Sequence, residues 1–196
     1  MHVINMEYFV LTSDNDLPFV YGDAKFLPID QGVYSNLWHD RKLPAGTAAS
    51  ITLIKSVRKL NRDLFSVNAG FVGSKKLLTV LESGFRSKFE PVPADVYYHS
   101  GEKVEGEFFF LEFDCWVDAF DYENSRFARD DDEESKVVEC DCLQIDSKKT
   151  DDYDLFFLLN VDFFEPVVSK QLADALKREK ISGFKIVPAE EFTWSE

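Results

Sequence analysis

The sequence predicts an α+β fold, with mixed, largely antiparallel sheets and a helix–turn–strand unit that occurs twice, at residues 72–93 and 167–188. Three observations lead there. Short apolar runs, each closed by turn residues, read as strands rather than helices. The two 22-residue segments align without gaps at an offset of 95. Of the 196 residues, 45% are hydrophobic, which is a globular composition, and 19 are Phe, which predicts a core rich in ring packing.

Taken along the chain, Tyr8-Phe9-Val10-Leu11 is a strand ended by the turn cluster Ser13-Asp14-Asn15-Asp16. Residues 15–50 carry no pattern that assigns them a role. In residues 50–64, Leu53, Val57, Leu60 and Leu64 repeat at helical spacing, but Ile51-Thr52-Leu53-Ile54 favours a strand by β-branching. The expectation is a strand running into a helical turn. Asp95-Val96-Tyr97-Tyr98 and Gly106 to Phe113 form a hairpin around Gly101. Val137 to Leu143 alternates in its second half, and Leu155 to Leu159 is a continuous buried strand.

In the paired segments, Val72/Val167, Ser74/Ser169, Lys75/Lys170, Leu77/Leu172, Leu81/Leu176, Phe89/Phe184, Val92/Val187 and Pro93/Pro188 are among the identical positions. Ser74 and Ser169 are N-cap candidates, because a serine hydroxyl accepts a bond from an early helix N–H. Leu77 with Leu81, and Leu172 with Leu176, present one apolar face at i,i+4. Gly183 suits a left-handed position after the second helix, and Phe184 to Val187 returns as a strand ended by Pro188. The length suits a single domain over 1–196, with two lobes each built around one copy as the alternative.

Net charge is −14, and it is unevenly spread. Residues 112–154 hold 16 acidic and 5 basic side chains, a net of −11, densest at Asp130-Asp131-Asp132-Glu133-Glu134. Such a chain has no cationic excess with which to bind nucleic acid or an anionic membrane, and it suits a basic protein partner. Three cysteines, Cys115, Cys140 and Cys142, do not make a disulfide framework, and the start of the chain lacks a signal-peptide pattern. A cytoplasmic location follows as the expectation.

The chemistry-bearing motifs are weak. Gly101 to Gly106 has phosphate-loop glycine spacing but continues with Glu107 and reads as a turn. Cys140 and Cys142 have no second Cys/His pair to complete a zinc site. Asp130, Asp132 and Glu134 have the 1-3-5 spacing of a calcium loop, but Ser135 and Asp141 occupy its sixth and twelfth positions. The reading is therefore not an enzyme, with no cofactor and no metal.

Phe156 to Pro188 resembles one family of immunity proteins of bacterial polymorphic toxin systems, formerly catalogued as a domain of unknown function. The residues that carry the resemblance are Val167-Val168-Ser169-Lys170-Gln171-Leu172 and Ser182-Gly183-Phe184-Lys185-Ile186-Val187-Pro188. Phe108 to Leu111, with Val117 to Phe127, is similar to a second block, and Tyr8 to Leu11 to the opening strand. The resemblance implies a cytoplasmic protein that binds and neutralises a toxin domain, and it supplies no catalytic residues. Candidate partner-binding residues are the acidic run Asp130, Asp131, Asp132, Glu133 and Glu134, with Phe127 and Tyr153 as anchors and Tyr122 and Trp194 as lesser candidates. The alternatives are an acidic adaptor protein and a small carboxylate-based hydrolase. Oligomeric state and the activity of the partner are not encoded in any motif.

Overall fold

A computed structural model of the chain describes residues 7–14, 19–27, 42–129 and 136–194. It is mostly β, with thirteen described strands and two α-helices. Six strands close a barrel: β2 (Tyr21–Leu27), β3 (Ala48–Leu53), β4 (Leu64–Val67), β5 (Gly70–Ser74), β6 (Phe89–Tyr97) and β7 (Phe108–Phe113), in the order β2-β3-β6-β7-β5-β4. A five-stranded sheet has the order β13-β1-β12-β11-β8, from β1 (Tyr8–Thr12), β8 (Trp116–Val117), β11 (Leu155–Leu158), β12 (Val167–Ser169) and β13 (Lys185–Pro188). A separate antiparallel ribbon pairs β9 (Arg126–Arg129) with β10 (Val137–Cys142). Pairings are mainly antiparallel, with parallel contacts at β2–β4, β3–β6 and β8–β11. The helices are α1 (Lys75–Leu81) and α2 (Lys170–Arg178).

Two buried clusters result, and the period-2 alternation of strands explains how they share walls. In β7, Phe108 and Phe110 face the barrel interior, while Phe109, Leu111 and Phe113 face the larger core beneath the helices and the sheet. In β5, Phe71 faces the larger core and Val72 the barrel. A strand covered on both faces needs apolar residues at every position, which is why Phe108-Phe109-Phe110-Leu111 reads as an unbroken run. Inside the barrel, Phe26 meets Phe110 edge-on at 4.9 Å, among the fully buried Ile51 and Leu53.

Both paired segments have the same order of elements: strand, serine cap, helix, turn, strand. Ser74 Oγ accepts from Leu77 N and Ser169 Oγ from Leu172 N, each at 3.3 Å. Leu77, Leu81, Leu172 and Leu176 are all buried in the larger core, and α1 packs against α2. The surroundings differ, since β5 and β6 enter the barrel while β12 and β13 enter the five-stranded sheet. Replacing Leu176, which is wholly buried, with Ala leaves a cavity and is expected to cost about 3 kcal/mol in urea denaturation. The same change at Leu27, 63% exposed, is expected to cost under about 0.5 kcal/mol.

The likeness extends beyond the ungapped segments. Asp63-Leu64-Phe65 precedes the first and Asp154-Leu155-Phe156 the second. Ser74 Oγ donates to Asp63 Oδ1 and Ser169 Oγ to Asp154 Oδ1, both at 2.7 Å. Each aspartate also receives a backbone N–H from the turn after the other unit's helix: Ser182 N reaches Asp63 Oδ2 at 3.0 Å, and Arg86 N reaches Asp154 Oδ2 at 2.9 Å. The two units are thus clasped reciprocally. Asp63 precedes its serine by 11 residues and Asp154 by 15, so the second unit carries four extra residues within the loop 159–166. The first unit has only a tight turn there, with Val67 paired to Gly70.

Two expectations need correction. Residues 50–64 begin as β3, but only a single turn follows, closed by Val57 N to Ile54 O at 3.0 Å, with no helix. The helical spacing misleads because Leu53, Val57 and Leu60 reach the barrel core from a strand and the turn after it, while Leu64 is buried in the larger core. The hairpin expected from Asp95 starts earlier, with Phe89 paired to Phe113 and Ala94 to Phe108. Pro91 and Pro93 are tolerated because β3 joins the other side of β6 only from Ala94 onward, leaving the proline half as an edge.

Candidate functional site

The acidic run Asp130 to Glu134, and with it the calcium-like spacing, lies outside the described residues, between β9 and β10. The ribbon that flanks it is well defined. Phe127 is half-buried, edge-on to Phe120 at 5.2 Å and to Tyr122 at 5.6 Å. The Arg129 guanidinium lies 5.0 Å from the Tyr122 ring and 5.3 Å from the Phe127 ring. Two lesser-ranked or candidate anchors, Tyr122 and Phe127, therefore come together under one arginine. Tyr153 sits in a different group: Lys88 Nζ lies 4.6 Å over its ring and 3.1 Å from its hydroxyl, and Phe156 is 6.5 Å away. Phe127 and Tyr153 are both half-buried.

Trp194 is held by two backbone bonds to Cys140, 2.8 and 2.7 Å long, and its ring meets Phe163 at 5.9 Å. It forms part of a cleft of about 480 Å³ between the barrel and the five-stranded sheet, a feature the sequence reading missed. The cleft runs from Phe19 and Phe71 to Phe164 and Phe184, with Asp14, Asp162, Glu165 and Arg62 as its charged members. Burial pushes the Glu165 carboxyl up from its usual range, although the nearby N–H groups of Glu165 and Phe164 pull it part of the way back. The sequence signal was Glu165 itself, a carboxylate inside the apolar stretch Phe163 to Val168.

Cys115 and Cys140 are not poised for nucleophilic chemistry. Burial pushes the Cys115 thiol up to about 12 and the Cys140 thiol up to about 11, so neither holds appreciable thiolate near neutrality. Among the described residues, no three His, Cys, Asp or Glu side chains converge as a metal site would require. No described helix is long and apolar enough to cross a membrane.

The fold and its surfaces define a mostly β protein with two helices, whose notable features are a negatively charged segment, half-buried aromatics and an aromatic cleft. Its family is shown by sequence: the signature of the Immunity protein family (Imm11) matches residues 47–191, and the chain belongs to that family. A comparison with curated proteins finds no match.

Proposed function

We propose that this chain binds and neutralises a cognate bacterial toxin domain, in the cytoplasm of the cell that makes both, without catalysing a reaction. The observation that carries this reading is the immunity-family match across residues 47–191. The partner is a protein with a basic surface, not nucleic acid or membrane. Support comes from the net of −11 over residues 112–154, which attracts cations and repels phosphate. In this reading the acidic run Asp130 to Glu134 steers the toxin, while Phe127 and Tyr153 supply buried contact once it has docked. Complementary charge acts mainly on association rate, and desolvated aromatic anchors act on affinity. We further take the two Asp-strand-strand-Ser-helix units as copies of one duplicated unit within a single domain, joined by the shared walls β5 and β7.

Co-expression tests the reading. Cells carrying the neighbouring toxin gene should survive with this chain and die without it, and the two proteins should co-purify. Survival without the chain, or no complex, removes the proposal. Steering is tested separately by replacing Asp130 to Glu134 with Ser or Asn. The association rate at low salt is expected to fall about tenfold, with little change in dissociation. An unchanged rate would reduce the run to a solvated loop.

A further inference from the structure

We propose that the cleft between the barrel and the five-stranded sheet receives one cationic side chain, a lysine or arginine, from the partner protein, its charged head against Glu165 and its stem across the aromatic walls. This rests on the toxin-binding reading and names one of its contacts.

The charges of the cleft select the occupant. Asp14 is paired with Lys185 at 3.6 Å and Asp162 with Lys136 at 2.7 Å. The Arg62 guanidinium, which also lines the cleft, donates to the Gly183 carbonyl at 3.4 Å. Glu165 has no ion-pair partner among the described residues, and it is partly withdrawn from water. A carboxylate in that position gains more from an arriving cation than a surface carboxylate does, because solvent screens the pair less.

The apolar walls select the same kind of group. Phe19 is 68% exposed and Phe164 40%, so two large rings lining the same cleft are left uncovered. A lysine or arginine stem covers such rings while its head stays polar, and aromatic faces attract cations directly. The chain already uses this contact within itself, with Lys177 Nζ 5.1 Å from the Phe9 ring centre and Lys88 over Tyr153. The wall is also an addition to the frame. Phe163, Phe164 and Glu165 belong to the loop that is four residues longer than its counterpart, where the first unit needs only a tight turn.

The experiment measures binding of the full chain to the toxin domain encoded beside it, inactivated at its own active site. Glu165→Gln and Phe164→Ala are compared with wild type and with Glu102→Gln, which changes an exposed turn. Thermal unfolding of each variant checks that it folds. The expected result is a dissociation constant raised about tenfold by Glu165→Gln and by Phe164→Ala, with Glu102→Gln unchanged. If wild type binds and both cleft variants stay within about twofold of it, the cleft proposal is overturned and the immunity reading stands. If wild type does not bind, both fall. Should Glu165→Gln fail to fold, Phe19→Ala with Phe164→Ala decides the question from the exposed rim alone.

Discussion

Replacing Asp154 with Ala is expected to destabilise the protein by about 3 kcal/mol or more, because it strands several donors around a buried site. Asp154 is 4% exposed. Its carboxylate receives Arg86 N at 2.9 Å, Arg86 Nε at 3.1 Å and Ser169 Oγ at 2.7 Å. Ser169 in turn caps α2, so the loss extends to the helix start and to the turn after α1. Burial alone pushes this carboxyl up, but the Arg86 side chain and backbone together with the Ser169 hydroxyl outweigh it and hold it below the ordinary 3.8. A depressed folded-state value means that the contribution is present above the unfolded value and is lost as pH falls through the folded one. Urea midpoints should therefore show a wild-type stability that drops in acid below about pH 4, and an Asp154→Ala protein whose drop is smaller. Equal midpoints at neutral pH would show that the clasp is dispensable.

Gly183→Ala is expected to be at least as damaging, above about 3 kcal/mol, and to act through the backbone rather than a side-chain contact. Gly183 has φ of +115°, a region that residues with a Cβ rarely adopt. A Cβ built there would lie 2.0 Å from the Leu64 carbonyl oxygen and 3.0 Å from its carbonyl carbon. Neither can move without disturbing β4, where Asp63 N and Leu64 N both donate to Ser182 O at 3.0 Å. The substitution should therefore open the joint between the turn after α2 and the barrel wall. Hydrogen exchange read at Leu64 and Ser182 should rise well above that at Val96, inside the barrel. A Gly183→Ala protein that melts with wild type would mean that this joint relaxes freely.

Together the two residues explain why the units behave as one frame. Asp63 and Asp154 each hold their own serine cap and the other unit's turn, so neither helix is secured by local contacts alone. The cleft lies where the joint held by Asp63 meets the five-stranded sheet, with Leu64 and Gly183 among its lining residues.

Much of the local structure was legible from residue order. Serine caps at Ser74 and Ser169, the leucine pairs behind them, the left-handed Gly183 and the apolar runs Phe108–Leu111 and Leu155–Leu158 all depend on short-range rules. The candidate site was less legible. Phe127 and Tyr122 read as separate aromatics, and only the ribbon turns them towards each other beneath Arg129. Glu165 read as one of 36 acidic residues, because its lack of a cation depends on where Lys136 and Lys185 are placed.

What the sequence alone determined is the set of local elements, the paired segments and the mid-chain concentration of negative charge, since each follows from residue type at short spacing. Tertiary structure alone decided that six of the strands close into a barrel, that the two aspartates clasp opposite units, and that a cleft opens between barrel and sheet. Those depend on pairings such as β2 with β4 and on contacts between residues about a hundred positions apart, such as Asp63 with Ser182. Hydrophobic pattern specifies which face of a strand is buried, but not which other strand it will lie beside.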